Sequence, residues 1–178
     1  MICINGPGEM GNHFCRDDRL GDRPGRAIRM LIQLLVGSAV SALNIILHAC
    51  VTVLAMGAAR SAARRSSLRP LLHLAGVMVA TSLALMAAHT LEVFVWSVAY
   101  AIVNAAPDDA NLVYFAFVNY TTLGYGDVTP LAKWRLLGPI TAMNGVLMFG
   151  WSTALMFEVL LKTIERSTAF APAKPDEL

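Results

Sequence analysis

The sequence predicts an all-α membrane protein, and three observations carry that reading. Charged residues make up only 15% of 178 residues, whereas soluble domains carry about a quarter. Hydrophobic residues reach 56% and the mean hydropathy is +0.57. The apolar residues gather into three runs, 30–56, 71–103 and 137–162, each longer than the roughly 20 residues a helix needs to cross a bilayer. Little is left to build a domain outside the membrane. A formal net charge of +2 leaves no electrostatic footprint for nucleic acid. The three cysteines, Cys3, Cys15 and Cys50, form no Cys-x-x-Cys pair, so neither a disulfide framework nor a zinc site is expected. Cys50 reads as a small packing residue.

Residues 1–29 are polar, rich in Gly, Arg and Asp, without hydrophobic periodicity, and are expected to be a disordered tail. No apolar core precedes a small-residue cleavage site there, so the tail is not a signal peptide. The first transmembrane helix is placed at 30–57. Small residues from Gly37 to Ala42 suit close helix contact. Asn44 and His48 are four apart and share a face; they either bond a neighbouring helix or lie near the interface, or they serve gating or proton sensing. Arg60, Arg64, Arg65 and Arg69 fall in the connection 58–70, which reads as a basic cytoplasmic loop. They are not a voltage sensor, which needs arginines inside a span.

The second span, 71–103, carries His89 and Glu92 three apart, with Trp96 four further on. A carboxylate in a span is costly and by default suggests function. Here it is placed towards the outer end, as a structural pair with His89 or against the following helix, with a pH sensor as the alternative. Trp96 and Tyr100 are expected in the outer aromatic belt. Pro107-Asp108-Asp109 reads as a helix start. The helix itself is set at 110–120, roughly 16 Å long and so about half a bilayer core.

The next stretch, Thr121-Thr122-Leu123-Gly124-Tyr125-Gly126-Asp127, reads chemically as a backbone that lines a narrow polar path. Gly124 and Gly126 reach φ > 0 without strain. Alternating them with ordinary residues turns successive carbonyls to one side, a column suited to a dehydrated monovalent cation. The Thr122 hydroxyl adds one more oxygen. Lys133, Trp134 and Arg135 belong at the outer headgroups, and Lys162 and Arg166 mark the cytoplasmic end of the last span. Residues 164–178 form a tail too short for a ligand-binding domain.

Thr122-Leu123-Gly124-Tyr125-Gly126-Asp127, with a half-length helix before it and full spans on both sides, resembles the selectivity filter of the tetrameric potassium channels. The likeness covers residues 71–162, the pore domain being drawn at 71–163, and departs from many members at Leu123, where they have valine. It implies an outer helix at 71–103, a re-entrant pore helix at 110–120, a filter at 121–127 and an inner helix at 137–162, preceded by one extra N-terminal transmembrane helix.

In that family, filter carbonyls replace the hydration shell of the ion. The resemblance therefore assigns K+ to Thr122, Leu123, Gly124 and Tyr125, with Gly126 turning the chain out of the filter. Thr121, Asp127, Tyr114 and Phe115 become filter support, Asp127 bracing from behind and Tyr125 wedging against pore-helix aromatics. Val118 stands where some members carry a glutamate that pairs with the residue equivalent to Asp127, so that brace is in doubt. Gly145 is the candidate hinge, with Gly150, Phe149 and Thr153 as further gating candidates and Ala154 flanking the cavity. One filter per chain implies a homotetramer.

The resemblance thus implies a passive K+-conducting channel of multi-pass type in a bacterial inner (plasma) membrane. Its partners are other copies and the lipid bilayer, with no nucleic acid, no soluble small-molecule substrate and no cofactor beyond the permeant ion. The rival is a non-conducting pore-fold regulator or sensor subunit working through His48, His89 and Glu92. An enzyme is disfavoured, since no paired nucleophile, metal-ligand cluster or phosphate loop stands out in the sequence.

An outward-facing filter also sets a topology conflict. A first helix that truly spans places the tail outside, although Arg16, Arg19, Arg23, Arg26 and Arg29 favour the inside. Either the pore helices decide the topology, or the first segment lies at the interface, or the natural chain begins at Met30, which opens the span directly. The last is the reading preferred, to be tested by the intact mass of natively expressed protein.

Overall fold

The computed structural model describes residues 23–63 and 70–165. Four helices appear in order: α1 (Arg23–Ala63), α2 (Pro70–Val103), the short α3 (Leu112–Tyr120) and α4 (Leu137–Glu165), with one 3-10 turn at Ala132–Trp134. No strand occurs among the described residues. The segments Gly25–Ser61, Leu71–Val103 and Leu137–Glu165 are long and apolar enough to cross a membrane. α1 packs against both α2 and α4, and α3 is held between α2 and α4.

The core is aromatic and lies where α3 docks. Trp96, Tyr100, Phe115, Tyr120 and Met148 are each at most 1% exposed. The Tyr100 ring stands 4.9 Å from Phe115 and 5.8 Å from Trp96, within the spacing of favourable aromatic pairs. The placement of Trp96 and Tyr100 in an interfacial belt is therefore overturned. Trp96 Nε1 donates to Asn144 Oδ1 at 3.0 Å, and the Tyr100 hydroxyl meets Thr141 Oγ1 at 2.6 Å. Two rings with polar tips are buried because α4 supplies those partners. The outward faces carry Val53, Leu54, Leu83, Ile102 and Phe157, all exposed in the single chain, as lipid-facing or subunit-facing surfaces do.

Three boundaries shift from the sequence reading. α1 begins at Arg23 and runs through Ala63, so it takes in 23–29 of the expected tail and 58–63 of the expected basic loop. Its first turns are held partly by their own side chains: Arg29 Nε bonds the Gly25 carbonyl and Gln33 Nε2 the Arg29 carbonyl. The remaining tail and loop expectations, including Arg64, Arg65, Arg69 and Arg166, lie outside the described residues. α3 starts at Leu112 and not at 110, and its cap is Asn111, whose side chain accepts from the Tyr114 amide. Pro107-Asp108-Asp109 forms the preceding turn, closed by Ala110 N bonding the Pro107 carbonyl at 3.0 Å.

Candidate functional site

The C-terminal end of α3 feeds directly into the glycine-bearing stretch. Leu123 N and Gly124 N both bond the Val118 carbonyl, at 3.0 and 3.5 Å, and Thr122 N bonds the Asn119 carbonyl at 3.1 Å. The last carbonyls of a helix lack intrahelical partners; here the adjoining extended segment supplies them, which fixes where it starts. Thr121 caps α3 in a right-handed conformation. Thr122, Gly124 and Gly126 then have φ of +60°, +61° and +80°, while Leu123 and Tyr125 between them do not turn positive. The expectation concerned the two glycines; Thr122 extends the alternation by one residue. A β-branched residue at positive φ is an outlier that marks a constrained backbone. Its hydroxyl donates to the Thr121 carbonyl at 2.6 Å, a short local bond.

All of 121–127 is exposed in the single chain. Asp127 accepts from the Tyr114 hydroxyl at 2.7 Å and from Val128 N at 3.0 Å. The partner behind Asp127 is thus a tyrosine in the first turn of α3, while Val118 is buried in the core. The Tyr114 hydrogen bond holds the Asp127 carboxyl below the usual carboxylate range. The same bond raises the Tyr114 phenol. Tyr125 is 68% exposed and, among the described residues, its ring meets neither Tyr114 nor Phe115 in its own chain. Phe115 packs inward on Tyr100 instead.

Gly145 sits on α4 against the end of α3. A Cβ built there would overlap the Tyr120 carbonyl oxygen, so glycine is required for close approach of the two helices. Gly150 has nothing within 4 Å of such a Cβ. Thr153 is exposed and bonds the Phe149 carbonyl at 2.9 Å; Ala154 is exposed beside it. Phe149 is 37% exposed, and its ring contacts Tyr120 at 5.5 Å and His89 at 4.8 Å.

Behind the end of α3 lies a buried polar cluster drawn from all four helices. His48 Nδ1 is 2.7 Å from Glu92 Oε1. His89 Nδ1 is 3.4 Å from Glu92 Oε2 and 3.1 Å from the Tyr120 hydroxyl. Tyr120 donates to Glu92 Oε2. Ser152 Oγ is 2.9 Å from His89 Nε2 and 3.3 Å from His48 Nε2. Glu92 is therefore fully buried in the protein; it meets both His89 and, through Tyr120, the end of α3, while its nearest imidazole is His48 of α1. A further buried contact ties the same helices: Asn44 Nδ2 donates to Asn144 Oδ1 at 3.1 Å and to the Glu92 carbonyl at 3.3 Å. Sequence spacing pairs Asn44 with His48 and His89 with Glu92. It holds no signal for Tyr120, Asn144 or Ser152, which reach the cluster only through tertiary packing.

Residues 88–162 match a family model described as an ion channel. That span runs from the second half of α2 through α3, the glycine-bearing stretch and most of α4, and it supports a pore-domain ion channel family. Together with three apolar helices, it supports a multi-pass integral membrane protein with a role in ion transport. No curated protein and no solved structure matches the chain.

Proposed function

We propose that this chain is one quarter of a potassium-selective channel, passing K+ passively through a homotetrameric pore. The observation that carries the reading is the alternation of positive φ at Thr122, Gly124 and Gly126 within Thr-Leu-Gly-Tyr-Gly-Asp, on the end of a helix about half a membrane long. Such alternation aims consecutive carbonyls to one side, and four copies about an axis make rings of them. Thr122, Leu123, Gly124 and Tyr125 contribute the ring carbonyls. Asp127 and Tyr114 hold the mouth of the filter, and the carbonyl end of α3 adds negative potential beneath it. The exposed Tyr125 ring is left for a neighbouring copy to cover. The bacterial inner membrane belongs to the same reading.

The test is K+ uptake into liposomes holding purified tetramer, with Na+ as control and Ba2+ as blocker. Selective, Ba2+-sensitive uptake is the expected result. Folded tetramer that passes no K+ across a range of pH and voltage favours the non-conducting regulator, for which the buried His48–Glu92 contact is the one specific observation.

A further inference from the structure

The buried cluster behind α3 has too few hydrogens for its contacts. With Glu92 ionised and both imidazoles neutral, His48, His89, Ser152 and Tyr120 each bring one polar hydrogen. They face contacts at Glu92 Oε1, at Glu92 Oε2 from two sides, and at Ser152 from two sides. The His89 Nδ1–Tyr120 contact makes a sixth, so four hydrogens cannot fill every contact around a carboxylate with 0% exposure. A carboxyl buried this deeply either takes up a proton or is paired with a cation, and the convergence of its neighbours points to a cation.

We infer that this cation is a divalent transition-metal ion of the zinc class, held by His48, His89 and Glu92. Each offers one ligand atom, and the three atoms lie within 4.8 Å of one another. The donor set is two nitrogens and a carboxylate oxygen, which suits zinc and its neighbours far better than K+ or Mg2+. Both Nδ1 atoms converge on the same carboxylate, and both Nε2 atoms reach the same Ser152 hydroxyl. With Nε2–H donated to Ser152, each ring presents its Nδ1 lone pair to the ion. That is the outer-shell hydrogen bonding which orients metal-bound histidines. The Tyr120 hydroxyl, 3.1 Å from His89 Nδ1, donates to Glu92 Oε2 and so orients the carboxylate ligand. A single proton needs only the His48–Glu92 pair, whereas three ligand atoms from two helices meet here. His89 keeps 14% side-chain exposure next to the partly exposed Phe149, which marks the side of entry.

The consequence is a clamp. α1 lies outside the matched span 88–162, and through His48 it would be fastened to α2 and to the last residue of α3, one position before the glycine-bearing stretch. This inference does not rest on K+ conduction.

The experiment uses the full chain purified in detergent, washed with chelator and then titrated with Zn2+ or Co2+. Bound metal is counted per chain, and the visible d–d band of low-coordinate Co2+ is recorded. About one ion per chain is expected, with a zinc-dependent rise in melting temperature. His48→Gln, His89→Gln and Glu92→Gln should each lose the band and the rise. Should a ligand variant fail to assemble, Ser152→Ala keeps all ligands and should weaken affinity by about 10–100-fold. Folded protein that takes up no stoichiometric metal overturns the inference and leaves a proton as the occupant. Metal binding that survives loss of both histidines overturns it equally.

Discussion

The Tyr120 carbonyl oxygen occupies the space that a Cβ on Gly145 would need, so the end of α3 rests directly on the backbone of α4. Neither partner can rotate away, because one is a carbonyl and the other a Cα inside a helix. Gly145→Ala should therefore force α4 back, an overpacking cost of about 1–3 kcal/mol. The gain in helix propensity, up to ~1 kcal/mol, offsets only part of this. Gly150→Ala meets nothing within 4 Å and keeps only the gain. Thermal unfolding in detergent should show opposite signs for the two variants. A melting temperature for Gly145→Ala equal to that of Gly150→Ala would remove the close-approach account and return Gly145 to the role of a hinge alone.

Gly124 gives the complementary case, where space is open and the dihedral decides. The nearest atom to a Cβ there is the Thr122 carbonyl oxygen at 3.9 Å, but φ is +61°. Alanine at such an angle costs about 1–2 kcal/mol per chain, hence roughly 4–8 kcal/mol over the four copies of the proposed tetramer. Gly124→Ala should abolish K+ over Na+ discrimination in liposome flux while the assembly still runs as a tetramer. Retained selectivity would detach the positive-φ alternation from ion selection.

The three long apolar helices and the short helix before the glycine-bearing stretch were legible because their signals are local: uninterrupted apolar length, and glycines at alternate positions. Trp96 and Tyr100 were misplaced for a physical reason. A large ring with a polar tip near the end of a span satisfies an interface and a wet core equally well. The choice between them was made by Asn144 and Thr141, on a helix more than 40 residues away in sequence. Glu92 shows the same limit, since its spacing revealed His89 but not His48 on another helix. The cap of α3 was missed because Asp108 and Asp109 suit a helix start as well as Asn111 does, and only Asn111 is in register with the Tyr114 amide.

Asn144 tests how much those distant partners contribute. Its Oδ1 accepts from both Asn44 Nδ2 and Trp96 Nε1. Asn144→Leu roughly keeps the volume and removes the acceptor. Asn44 retains the Glu92 carbonyl at 3.3 Å, whereas Trp96 is left with a buried unpaired N–H, a loss of roughly 1–3 kcal/mol. Adding Trp96→Phe should then cost less than it does in the wild-type background, because the orphan donor goes with it. Equal costs in the two backgrounds, measured by thermal unfolding as a double-mutant cycle, would show that the indole bond contributes nothing.

At the mouth of the proposed filter, the Tyr114–Asp127 bond makes a pH prediction with a definite sign. The bond lowers the folded-state carboxyl of Asp127, so its stabilising contribution is present above the ordinary carboxylate pKa. It fades as pH falls through the lowered folded value. Tyr114→Phe removes the donor and brings Asp127 back towards its ordinary value. On acidification, the variant should lose flux at a higher external pH than the wild type. The two profiles should differ most between the lowered and the ordinary carboxyl values, and meet once both carboxyls are protonated. Both partners are open to water in a single chain, so the size of the shift depends on how far neighbouring copies cover them. Stopped-flow K+ uptake at stepped external pH reads it directly. Identical acid profiles for Tyr114→Phe and wild type would show that the carboxylate at the mouth is held by something other than this phenol.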